Sequence, residues 1–201
     1  MYLVFNSLGV DKFHTFLVAG HTDLLFDIQL AMVKGGLIGG DVYVAEDSSG
    51  SIVGSAIWFG PNQELFHTAE EREAGFTKFM AKLTEKELNM TSWWMEYFLP
   101  AYAEFTARMF GSLEYKLKAW HLQLIGVLPA HQHRGIGRAL IKHSEEVIAN
   151  SPSEGPKHLC LETETESAER LGYVNRGVME LRSEEKMNQT VPMFCCAKEI
   201  A

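Results

Sequence analysis

Apolar residues recur at Leu24, Ile28, Ala31 and Met32, the spacing of one helical face, and predict an amphipathic helix over Leu24–Lys34. Thr22 or Asp23 can cap its start, and Gly35-Gly36 followed by Gly39-Gly40 is expected to end it in a flexible turn. The period then changes from helical to alternating. Over Asp41–Glu46, Val42 and Val44 fall on one face and Tyr43 and Ala45 on the other. Asp47-Ser48-Ser49-Gly50 is a turn signal, and Ser51–Phe59 is rich in β-formers. The two runs predict an antiparallel hairpin, stopped by Gly60-Pro61.

Helical spacing returns with Phe76, Phe79, Met80 and Leu83, then Trp93, Trp94, Tyr97 and Phe98, and beyond Pro100 with Tyr102, Phe105, Met109 and Phe110. This predicts two or three helices, with a boundary or kink near Pro100. So aromatic a stretch either packs as core against a sheet or forms a wall of an acceptor pocket, and the pattern fits both. Trp120–Val127 reads as a strand. Arg138–Asn150 reads as a helix, with Ile136, Leu140 and Val147 on one face. His158–Glu164 is a further strand that sets Leu159 and Leu161 opposite Cys160 and Glu162. Arg176–Leu181 and Val191–Lys198 read as a closing pair of strands.

The chain has 201 residues, of which 46% are hydrophobic and 22% charged, which suits one domain able to bury a core without disulfides or metal. Its formal net charge of -8 argues against nucleic acid as a partner, because phosphates would be repelled. The three cysteines, Cys160, Cys195 and Cys196, are expected to be reduced thiols of a cytosolic protein. Met1–Asn6 has no basic start and no long apolar segment, and no apolar run approaches membrane-spanning length. The expected address is cytoplasmic, with no membrane partner. His131, His133 and His143 lack acidic or thiol companions at ligand spacing, so no metal is expected.

The chemistry concentrates between Leu124 and Leu140. A strand ends at Val127 before Pro129, a short loop supplies Gln132, Arg134, Gly135 and Gly137, and a helix follows at once. The first turn of a helix offers unpaired N–H groups and the positive end of the macrodipole, a combination that binds phosphate. Glycine at 135 and 137 removes the Cβ atoms that would hold a diphosphate away from the backbone, and Arg134 and Arg138 can add charge-assisted hydrogen bonds. Other phosphate loops fit less well. Position 140 is Leu where a dinucleotide fingerprint needs a third glycine, and Gly137 is followed by Arg138-Ala139 rather than Lys-Ser/Thr.

Gln132-x-x-Gly135-x-Gly137 after Leu124-Ile125-Gly126-Val127-x-Pro129 resembles the acetyl-CoA signature of the GCN5-related N-acetyltransferases. The hairpin of 41–59 is similar to that family's second and third strands, 158–164 to its fifth, and Leu171-Gly172-Tyr173 to the Leu-Gly-Phe after its fourth helix. The resemblance implies an α/β (α+β) fold: a mixed, mostly antiparallel sheet flanked by helices. It implies a single domain over 1–201, with 61–118 as a helical insertion of a kind seen in fungal members. It also implies acetyl-CoA as co-substrate. The backbone of Ile125, Gly126 and Val127 would bind the pantetheine arm. Gln132, His133, Arg134, Gly135, Ile136, Gly137 and Arg138 would hold the pyrophosphate. An amine would then attack the thioester directly, with no acyl-enzyme. The acceptor would be a small molecule, a peptide N-terminus or a lysine.

Two departures from the family bear on activity. Its fourth helix carries a tyrosine that can protonate the CoA thiolate, and here 164–173 is too short to hold one; Tyr173 matches the phenylalanine and is expected in the core. Met1–Ser7 reads as the tail of the first helix at most, so the first strand is expected to be missing and Asp41–Glu46 to be an exposed edge. Glu162 is the first choice for general base, with Glu164, His121 and Gln123 as alternatives. The chain is thus expected to be an N-acetyltransferase. The alternative is a catalytically weakened CoA-binding or scaffold protein that keeps the pyrophosphate loop.

Overall fold

The computed structural model describes residues 12–152, 157–183 and 189–201. The expected helix tail at Met1–Ser7 lies outside them. A short helix α1 (Lys12–Leu17) and a 3₁₀ turn (Thr22–Leu24) lead into α2 (Leu25–Gly39), followed by β1 (Asp41–Glu46) and β2 (Ile52–Phe59). Helices α3 (69–86), α4 (90–110) and α5 (Tyr115–Lys118) stand between β2 and β3 (Trp120–Val127). Then come α6 (Ile136–Ala149), β4 (Lys157–Thr163), a 3₁₀ stretch (Glu166–Leu171), β5 (Val174–Arg182) and β6 (Thr190–Ile200).

The strands form one sheet in the order β1-β2-β3-β4-β6-β5. Every neighbouring pair is antiparallel except β3 and β4, which run parallel. As the resemblance implies, the architecture is a mixed, mostly antiparallel sheet between helices. Among the described residues β1 is an edge strand, with Val44 exposed. Val42, Ile57, Phe59 and Leu124 point into one apolar cluster with side chains of α1 to α4. Ala56, Trp58, Leu122 and Ile125 point into the other, with Leu140, Ile141 and Ile148 of α6. Trp58 and Phe59 are fully buried on opposite faces; burying a phenylalanine alone contributes roughly 2–3 kcal/mol.

Leu122 and Leu124 would share a face in a regular strand. Here they do not, because the register against β2 slips between Leu122 and Leu124, so that Gln123 is bulged.

Two expectations are corrected and one is refined. First, α2 does not stop at Gly35-Gly36 but runs on to Gly39, and neither Thr22 nor Asp23 caps it, since it grows directly from the 3₁₀ turn. The glycine serves packing: a Cβ at Gly36 would stand 2.5 Å from Ile57 Cγ2, so only a bare backbone lets α2 lie this close to β2. Second, the boundary expected near Pro100 is present as a change from π- to α-helix at Leu99, not as a break in α4. Its residues Trp93–Phe98 form a π-helical turn in which Leu99 donates to Trp94 five residues back. That wider turn relieves the proline ring of the carbonyl it would strike in an α-helix. Third, the buried stripe of α6 is Leu140, Ile141, Ser144 and Ile148, while Val147 is exposed.

Candidate functional site

Strands β3 and β4 are paired over only three rungs, Trp120↔Leu159, His121↔Cys160 and Leu122↔Leu161. Beyond Leu122 they part. From 123 to 127 the side of β3 away from β2 has no described strand beside it, while β4 stays on β6 through Thr163↔Phe194. Glu162 is the first residue of β4 past the last rung, and Gln123, the bulge, is its counterpart on β3. The fork opens two contiguous spaces that share Ile125, Ile141 and Leu171 as walls.

On the α6 side lies an open depression of about 430 Å³. Gly135 has φ +83°, a left-handed conformation costly for any residue with a side chain, and it turns the loop straight into α6. The first helical rung is Ala139 donating to Gly135, so the preceding amides stand at the open end of the helix. A Cβ built on Gly135 meets nothing within 4 Å, and one on Gly137 meets only Val127 at 3.8 Å. No side chain crowds the backbone at either glycine, and a diphosphate fits the corner on that ground.

Of the residues the sequence proposes for the coenzyme, Ile125, Gly126, Val127, Gln132, His133, Gly135, Ile136, Gly137 and Arg138 all border this depression. Arg134 is exposed and does not line it. Arg170 of the 3₁₀ stretch borders it instead, a residue the sequence motif gave no reason to select. Gln132 acts on the protein itself, donating through Nε2 to the carbonyl of Val127 at 3.0 Å and so bracing the loop against the strand end.

On the opposite side is a chamber of about 490 Å³. Glu162 sits at its inner end with a side chain only 7% exposed. Its Oε2 accepts from the Tyr102 hydroxyl at 2.6 Å and from His121 Nε2 at 2.8 Å, and Lys116 Nζ lies 3.5 Å away. Lys116 also donates to Tyr102. Glu162 Oε1 is buried without a partner. Burial alone would raise the Glu162 pKa; Lys116, with the hydrogen bonds from His121 and Tyr102, outweighs it and holds the carboxyl below the usual range. Burial and the Lys116 charge both push His121 down, so it stays neutral and donates. Burial, then the Glu162 charge, holds the Tyr102 phenol well above its usual value.

Of the alternatives to Glu162, His121, Gln123 and Glu164 all line the chamber, and Glu164 Oε1 accepts from the Phe13 backbone. The sequence offers Tyr102 only as one ring of the aromatic stretch, and gives no sign of Lys116. They stand 60 and 46 positions from Glu162, and nothing local ties them to it. The aromatic stretch resolves both ways: Trp94 and Phe98 belong to the core cluster and to the chamber wall alike.

Among the described residues only a six-residue 3₁₀ stretch separates β4 from the turn into β5. Tyr173 is core, 3% exposed, and burial pushes its phenol up. The three cysteines are buried and unbridged, and burial raises all of them, Cys196 to about 11, which suits packing rather than nucleophilic chemistry. Among the described residues no three His, Cys, Asp or Glu side chains converge as for a metal.

Several solved structures share this fold. A histone acetyltransferase HPA2 and related acetyltransferase from Corynebacterium glutamicum superposes with a TM-score of 0.55 at 20% identity, covering 100% of this chain and 88% of that one. An agmatine N-acetyltransferase gives 0.50 at 15%, covering 90% and 96%. Arylalkylamine N-acetyltransferase 2 from Aedes aegypti gives 0.50 at 15%, covering 94% and 87%. No curated protein matches the chain. The family model of the acetyltransferase (GNAT) family matches residues 66–171, just over half of the 201 residues. The fork, the glycine corner at the head of α6 and this match agree: the chain belongs to the acetyltransferase (GNAT) family.

Proposed function

We propose that the protein transfers an acetyl group from acetyl-CoA directly to an amine. The observation that carries this reading is the continuity of the two spaces through the β3–β4 fork. A coenzyme lying over Gly135–Arg138 and along 125–127 would reach the crotch where Glu162 waits on the other side. Ile125, Gly126 and Val127 would hold the pantetheine arm on the unpaired edge of β3. The amides around Gly135 and Gly137, with Arg138, would hold the diphosphate, and His133 and Arg170 border the same corner. Bound there, acetyl-CoA supplies an activated acetyl group. The amine nitrogen forms the new C–N bond as the C–S bond breaks, and of the two protons the ammonium gives up, one ends on the sulfur and the other leaves through the protein.

Glu162 is the group we assign to hold the ammonium; with its carboxyl kept below the usual range, it relays that proton onward rather than retaining it. Oε2 is saturated by Tyr102 and His121, so the available lone pairs are those of Oε1. Lys116 and Tyr102 keep the carboxylate ionised, so it forms an ion pair with an incoming cation without itself titrating near neutrality. The segment 61–118 supplies Tyr102 and Lys116, and we read it as an insertion that builds the acceptor side of a single domain. A cytoplasmic place of work accords with three unbridged thiols. No described helix is long and apolar enough to cross a membrane.

The test is Glu162→Gln, followed by thiol release from acetyl-CoA with amines and by calorimetric binding of acetyl-CoA. The expected result is a drop in kcat of roughly 10²–10³-fold with coenzyme affinity unchanged. Tight coenzyme binding by the wild-type chain with no turnover on any amine would favour a binding or scaffold role instead.

A further inference from the structure

We infer that the acceptor is a small monoamine: one cationic end seated at Glu162 and an aromatic or apolar body filling the chamber on the α4 side. The inference rests on the acetyl-transfer reading and narrows it, setting aside protein lysines, peptide N-termini and polyamines.

The chamber walls are the first argument. Phe13, Leu65, Phe66, Trp94, Phe98 and Tyr102 face it from α1, the segment after β2, and α4. The rings are held as a set. Phe98 stacks on Tyr102 at 5.9 Å between centroids, and Phe13 tilts against Phe98 at 6.1 Å. Fixed aromatic surfaces of this kind favour a ligand ring or alkyl body, because offset and edge contacts add to the area removed from water. A peptide backbone laid against them would leave its amides without partners. The volume of about 490 Å³ also suits a small molecule, since the acetyl end of the coenzyme must share it.

Charge is the second argument, and it fixes which end goes where. Among the described residues, Glu64, Glu162 and Glu164 line the chamber with one lysine, Lys116, whose ammonium is already engaged by Tyr102 and Glu162. A cation is therefore favoured. At the inner end, Glu162 Oε1 is a buried carboxylate oxygen with no partner on a side chain 7% exposed. Such an atom is costly to bury unless a ligand meets it. An ammonium supplies three donors and the opposite charge. It also puts the nucleophilic nitrogen at the crotch of the fork, beside the unpaired run of β3. Among the described residues Oε1 is the one buried carboxylate oxygen of the chamber without a partner, so it seats a single ammonium.

The experiment compares 2-phenylethylamine, spermidine and a lysine-bearing peptide on the wild-type chain. Acetyl-CoA binding is measured first by calorimetry, and each amine is then followed by thiol release and by its shift of the melting temperature with CoA present. 2-Phenylethylamine should exceed the other two in kcat/KM by roughly tenfold or more, and it alone should raise the melting temperature. Phe98→Ala should lower its kcat/KM by roughly tenfold while acetyl-CoA affinity holds. Phe13→Ala, at a half-buried position, should act in the same direction should Phe98→Ala fail to fold. With acetyl-CoA bound normally, a preference for spermidine or the peptide, or equal rates on all three, overturns the inference and leaves acetyl transfer standing. Failure of the chain to bind acetyl-CoA overturns the transfer reading, and this inference with it.

Discussion

His121 and Glu162 share one hydrogen bond but answer acid in different ranges. His121 is buried and neutral, so the folded chain refuses a proton that the unfolded chain accepts near pH 6.5. Between 6.5 and the lower folded value the unfolded state binds more protons, and stability must fall as pH falls. Glu162 has a folded pKa below its ordinary 4.5, so its contribution is full above 4.5 and fades only in stronger acid. Melting temperatures measured from pH 7.5 to 5 should therefore drop more for the wild-type chain than for His121→Gln, and parallel curves would refute the assignment. At the glycine corner the room around Gly137 allows a larger residue without harm to the fold. Gly137→Val should melt within a few degrees of wild type and lose acetyl-CoA binding; normal binding would mean that the diphosphate lies elsewhere. The placement of the glycines at the head of α6 and of Glu162 on β4 was readable from sequence, because the motif is contiguous and strand alternation puts Glu162 opposite Leu161. The links of Tyr102 and Lys116 to Glu162 were not, since hydrogen bonds across 60 and 46 residues leave no local period.

The helix α2 shows how packing overrides an element's local rules. Glycine normally weakens a helix by roughly 1 kcal/mol relative to alanine, and a glycine pair reads as a stop. Here the pair lies inside the helix because Ile57 occupies the space a side chain would need. The sign of one substitution separates the two readings. If propensity ruled, Gly36→Ala would stabilise. The contact with Ile57 instead predicts a loss of about 1–3 kcal/mol by denaturant unfolding, absent in an Ile57→Ala background. The run through Pro100 has the same origin. Trp93 and Phe98 stack at 5.4 Å, 4° from parallel, within the π turn that makes room for the proline. A rule about neighbours in sequence cannot anticipate a change of helix type. The hairpin β1–β2 was legible nearly to the residue, because its alternation and its Asp47–Gly50 turn are local signals.

Across the whole molecule, the family, the sheet and its flanking helices followed from one motif and the order of elements. The bulge at Gln123 did not, nor did α1, whose Phe16 and Leu17 are buried in the cluster beneath α2 to α4. The sheet is closed on β2 and β6 but open between β3 and β4, so a coenzyme there would tie two halves that share three rungs. Acetyl-CoA at about 100 times its Kd should therefore add about 2.7 kcal/mol, or a rise of roughly 5–10 °C in melting temperature. Gly137→Val should show no such rise.

Trp94 and Phe98 hold the interior of the protein together and also face the chamber. The preference for one acceptor is consequently written into the same atoms as the melting point. Random variation at these two positions would yield mostly unfolded chains, and altered selectivity should arise first at half-exposed Leu99, where the rim can change while the interior stays intact.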